Sequence, residues 1–168
     1  MSKKIVGIML TAIFTVALAS IGITTTNDLT STIFAQDQKF TAKLSGQDEV
    51  PPTNSQATGM ADFTVMGDSV EYTVNASGMQ GVTAGHIHSG KQGENGPVVV
   101  TLFKNDSPTN EVSETGSITP DKLEGPMAGK QLTDLATAMS NGDTYVNIHT
   151  EQNPNGEIRG QIMSGAGQ

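Results

Sequence analysis

Beyond Lys39 the chain places apolar residues at every second position, over and over. Phe40, Ala42 and Leu44 form one such set, Ala61, Phe63 and Val65 a second, and Val70, Tyr72 and Val74 a third. Side chains alternate across a strand, so this period predicts strands with one face in a core. Val82 to His88, Val98 to Phe103, Val112 to Ile118, Thr144 to Thr150 and Glu157 to Met163 read the same way, which makes about eight short strands. Between them lie Gly67-Asp68, Asn75 to Gly78, Ser89 to Gly96 and Asn153 to Gly156, whose Gly and Asn residues suit tight connections. A helical period appears once, from Gln131 to Ser140, where Leu132, Leu135, Ala136 and Met139 share a face and Asn141-Gly142 follows as a stop. The pattern predicts an all-β fold, an antiparallel Greek-key-like β-sandwich or flattened barrel with one short helix.

The pattern differs at the N-terminus. Lys3 and Lys4 precede an apolar run from Ile5 to Ile23, the layout of a secretory signal, and Ala17-Leu18-Ala19 offers a small-x-small cleavage site. The run is also nearly long enough to serve as an uncleaved membrane anchor. Thr24 to Gln36 is rich in Thr, Ser and Asn and has no clear period. The expected organisation is a signal peptide or N-terminal anchor over 1–23, a flexible tether over 24–38, one β-domain over 39–163 and a flexible C-terminus over 164–168. The protein is thus expected outside the cytoplasm, secreted or held to the membrane by its N-terminal segment.

Charge and composition narrow the function. The formal net charge is −8, and the basic residues are dispersed, so nucleic acid and anionic lipid surfaces are poor partners. With no cysteine among 168 residues, the chain forms no disulfide and no thiolate metal site. A metal would have to be held by imidazole, carboxylate or backbone oxygen. The eight methionines are scattered, as core packing or incidental exposure would leave them.

The three histidines are not scattered. His86 and His88 flank Ile87, and His149 closes Tyr145-Val-Asn-Ile-His149. If Ile87, Val146 and Ile148 face the core, then His86, His88 and His149 all lie on the opposite parity, facing outward or into a groove. Were the two strands neighbours, three imidazoles could converge on one metal ion: copper, or zinc as the alternative. After His149, Thr150 to Gly156 reads as a turn and Glu157 to Ile162 as a returning strand. With Ile158 and Ile162 on the core side, Arg159 shares the face of His149. There it would either attract a small anion or pair on the surface with Glu157 or Glu151.

The motifs together, Phe40-Thr-Ala-Lys-Leu-Ser-Gly-Gln-Asp-Glu-Val-Pro-Pro52, Ala84-Gly-His-Ile-His88, Gly96-Pro-Val-Val-Val-Thr-Leu102 and Tyr145 through Ile162, resemble the CHRD domain, the module named after chordin. The resemblance implies an extracellular β-domain. A weaker likeness is to copper-zinc superoxide dismutases, which implies His86, His88 and His149 as copper ligands and Arg159 as a catalytic guide for superoxide. The chain departs from that family in having no fourth histidine to bridge to zinc and no disulfide. Three functions follow as expectations: a copper-dependent superoxide dismutase, a non-catalytic copper- or zinc-binding domain, and an extracellular adhesion or assembly module.

Overall fold

The computed structural model describes residues 38–165; the predicted export segment and nearly all of the tether lie outside them. Nine strands are present: β1 Gln38–Ser45, β2 Thr58–Met66, β3 Ser69–Ser77, β4 Val82–Ser89, β5 Val98–Thr109, β6 Val112–Ile118, β7 Thr144–Thr150, β8 Ile158–Gln161 and β9 Met163–Ser164. All the predicted strands appear. The last is split, because Ile162 turns into the core between β8 and β9.

The strands form one antiparallel sheet in the order β5-β4-β7-β8-β1-β2-β3-β6, with β9 added along β1. The sheet curls nearly into a barrel. Its end strands β5 and β6 are consecutive in the chain, and the Tyr72 hydroxyl on β3 donates to the Leu102 carbonyl on β5 across the gap. At the other side, β8 and β1 cross closely, with Ser45 opposite Arg159. Gly160 permits this, since a Cβ there would run into the Lys43 carbonyl. The short β9 lies against the start of β1, pairing Ser164 with Phe40 and Met163 with Thr41, and Gly165 N–H donates to Lys39 O at 2.8 Å.

The interior is mainly apolar. Phe40, Ala42, Leu44, Phe63, Val70, Val74, Ile87, Val100, Val146, Ile148, Ile158 and Ile162 are all buried in one cluster. These are the residues whose alternation marks the strands, and their burial is the main driving force for the fold. The single α-helix among the described residues, α1 (Leu132–Ser140), starts where Gln131 N–H donates to the Asp134 carboxylate at 2.9 Å. It buries the predicted face, Leu132, Leu135, Ala136 and Met139, against β7 and β9. None of the helices among the described residues is long and apolar enough to cross a membrane.

Candidate metal centre

The site is built on the face of β4 and β7 that points away from the apolar core. The two strands are direct neighbours, with Ala84 opposite His149, His86 opposite Asn147 and His88 opposite Tyr145. Antiparallel pairing with this register sets His86, His88 and His149 on one side of the sheet. Their ring centroids stand 4.8 Å apart for His86 and His149, and 5.8 Å apart for each of the other two pairs. One ligating nitrogen from each ring lies within 4.8 Å of the other two. Nitrogens bound tetrahedrally at about 2.0–2.1 Å stand roughly 3.4 Å apart, so small ring rotations would bring these to ligand distance.

Backbone carbonyls orient two of the rings. His88 Nδ1 donates to Gly96 O at 2.9 Å, and His149 Nδ1 donates to Pro154 O at 3.0 Å. A carbonyl can only accept, so each bond puts the proton on Nδ1 and leaves the Nε2 lone pair free. Those two Nε2 atoms, together with Nδ1 of His86, are buried and have no hydrogen-bond partner. Buried polar atoms seldom go unpaired, and here three imidazole nitrogens without partners share one cluster.

The electrostatics favour neutral imidazoles. Burial drives the His86 pKa down to about 4, and the neighbouring His149 and His88 push the same way. Burial also holds His88 and His149 below the ordinary histidine value. The bonds to Gly96 and Pro154 oppose that shift, while Arg159 lowers His88 further and His88 lowers His149. A neutral ring is the form that binds a metal.

The second face of β7 is not open to solvent, contrary to what polar alternation suggests. Glu49 from the β1–β2 connection and residues 91–96 from the β4–β5 connection fold over it. Tyr145, Asn147 and Arg159 are buried at 2 %, 3 % and 1 % exposure. Glu49 reaches Asn147, whose Nδ2 donates to Glu49 Oε2 at 3.3 Å. Burial pushes the Glu49 pKa up to about 7, against the opposing pull of Arg159 and of the Asn147 hydrogen bond. Glu49 Oε1 and Asn147 Oδ1 are both buried beside Gly156 without a hydrogen-bond partner. The sequence reading missed Glu49. Nothing in Gly-Gln-Asp-Glu-Val-Pro-Pro says that this loop folds back over a strand face.

Arg159 lies on the predicted face, opposite Asn147, and close to the histidines, but it does not touch them. Its guanidinium carbon sits 3.4 Å from the centroid of the Tyr145 ring, and that ring stacks on His88 at 5.0 Å with an interplanar angle of 10°. Surface pairing with Glu157 or Glu151 does not occur. Nη2 donates to Lys91 O at 3.0 Å and Glu94 O at 2.9 Å, and Nη1 donates to Asn95 Oδ1 at 3.2 Å. Glu157 instead ties the hairpin together, accepting from Ser55 Oγ and Thr150 Oγ1, each at 2.7 Å, and from Asn153 Nδ2 at 3.2 Å.

A search of curated proteins gives no match. The model of the CHRD domain matches residues 40–162, which spans every strand through β8 and all three histidines. The chain therefore belongs to the CHRD domain family.

Proposed function

We propose that this is an extracytoplasmic CHRD domain that holds one copper ion, with zinc the alternative, on His86, His88 and His149. The observation that carries the reading is the set of three buried imidazole nitrogens without protein partners, two of them turned inward by carbonyls on the far side of their rings. The donor set fits the metal: three neutral nitrogens with no thiolate suit Cu(II) or Zn(II) and leave a further position for water or a small ligand. Membership of the CHRD family and the Lys3-Lys4 leader with its apolar run support a place outside the cytoplasm.

Titration of metal-free protein with Cu(II) tests this directly. One equivalent should bind, with nitrogen hyperfine structure from three imidazoles in the electron paramagnetic resonance spectrum. Absence of stoichiometric binding at low micromolar metal would leave an adhesion or assembly module as the better reading.

A finer proposal adds turnover of superoxide. Bound copper would supply a one-electron couple, and the partly exposed edge formed by His86 and His149 gives a small anion a way in. Arg159 acts here through its field rather than by contact, because the Tyr145 ring stands between it and His88. Pulse radiolysis decides the matter: copper-loaded protein should remove superoxide faster than an equal concentration of the His88→Ala variant, and equal rates would exclude catalysis.

A further inference from the structure

His88 is held by a carbonyl that belongs to a connection with little secondary structure of its own, so something must hold the connection. Residues 91–96 contain Gly93 at φ 81° and Gly96, where a Cβ would collide with the Ser89 carbonyl. Such a segment is entropically expensive to fix in one shape. Arg159 spans it. One guanidinium binds Lys91 O, Glu94 O and Asn95 Oδ1, and Asn95 passes the restraint on by donating from Nδ2 to Val50 O at 2.8 Å.

A second path runs through Tyr145. Strand β7 lies between β4 and β8, so the Tyr145 ring is sandwiched between His88 on one side and Arg159 on the other. Its hydroxyl accepts from Gly96 N–H at 3.2 Å, the same residue whose carbonyl receives the His88 proton. Loop and ring thus meet at Gly96, and both lead back to Arg159.

We infer that Arg159 is a positioning residue: it fixes residues 91–96 and Tyr145 so that Gly96 O keeps the proton on His88 Nδ1 and turns Nε2 towards His86 and His149. This deepens the metal-site reading by naming what sets one ligand's orientation. It also differs from a steering role, because the rigid plane of arginine reaches the three acceptors from two separate nitrogens while lying over Tyr145, whereas any cation at this position supplies a field.

The test uses metal-free full-length protein, so that it stands or falls independently of copper. Imidazole nitrogen shifts measured by NMR should show His88 in wild type as a single Nδ1–H tautomer with a slowly exchanging proton. In Arg159→Lys, which keeps the charge and the aliphatic stem, His88 should become a mixture of tautomers with a fast-exchanging proton. His149, held by Pro154 O, should stay unchanged and serve as the internal control. Tyr145→Phe, which keeps both stacked faces and removes only the acceptor of Gly96 N–H, should shift His88 in the same direction by less. Copper affinity of Arg159→Lys should fall by about 10- to 100-fold. A folded Arg159→Lys protein whose His88 keeps the wild-type tautomer and exchange rate overturns the inference. Failure of wild type to bind copper would instead overturn the metal reading and leave the tautomer result standing.

Discussion

The two halves of the sheet share a core and differ in what lies on the other face. In β2, β3 and β6 that face is polar and largely exposed: Thr58, Asp62, Glu71, Asn75 and Ser113 all point to solvent. In β4, β7 and β8 it is polar and mostly buried, with Tyr145, Asn147 and Arg159 under loops and His86, His149 and Gln161 partly exposed. A buried polar group must find a partner or keep a costly vacancy. The exposed half meets that demand with water, whereas the covered half meets most of it with carbonyls, a carboxyl and a guanidinium, and leaves open three imidazole nitrogens, Glu49 Oε1 and Asn147 Oδ1. Unpaired polar atoms collect where the sheet is covered twice.

The comparison can be sharpened by substitution, starting with what the halves share. Ile148→Ala in the covered half and Phe63→Ala in the exposed half should each cost about 4 kcal/mol in urea unfolding, because both remove fully buried apolar volume from one core. A transition that splits into two phases in either variant would mean that the halves unfold separately. Next comes a change confined to the covered face. His149→Ala should lower copper affinity by about 100-fold, close to 2.7 kcal/mol, in calorimetric titration.

A smaller effect concerns Glu49. Folding raises its pKa from an ordinary 4.5 to about 7, so between those values the folded state binds a proton that the unfolded state has released. Its contribution to stability therefore falls as pH rises through that window, with Arg159 opposing and Asp48 reinforcing the shift. Glu49→Gln should be more stable than wild type by about 1–2 kcal/mol at pH 8 and lose the advantage near pH 4.5. Denaturant unfolding across that range isolates the difference. The smallest effect belongs to the open face: Asn75→Ala should change stability by no more than about 0.5 kcal/mol.

The exposed half was readable almost residue by residue, since alternation there reports solvent on one side and core on the other. Alternation also placed His86, His88, His149 and Arg159 on one face, because parity depends only on the strand and not on what covers it. The cover itself was hidden. A polar residue facing water and one facing a buried carboxyl look alike in sequence, so Asn147 and Arg159 gave no sign of burial, and Glu49 looked like part of a loop. The acceptors of Arg159 were hidden for a related reason, and of the two readings left open the pairing with Glu157 or Glu151 does not occur. Its acceptors are the backbone oxygens of Lys91 and Glu94, which any residue carries, whereas the expected carboxylates of Glu157 and Glu151 stand out by name.

The strip formed by β1 and β9 bears on how the domain would carry load. The chain enters at Gln38 and leaves at Gly165, and these ends lie side by side on antiparallel strands joined by the bond from Gly165 to Lys39. Tension applied between the two ends would therefore open the pairs one after another, like a zip, instead of shearing many bonds at once. The short β9 would peel away first and uncover part of α1, which packs on it, whereas β4 and β7 with the histidines lie further along the sheet.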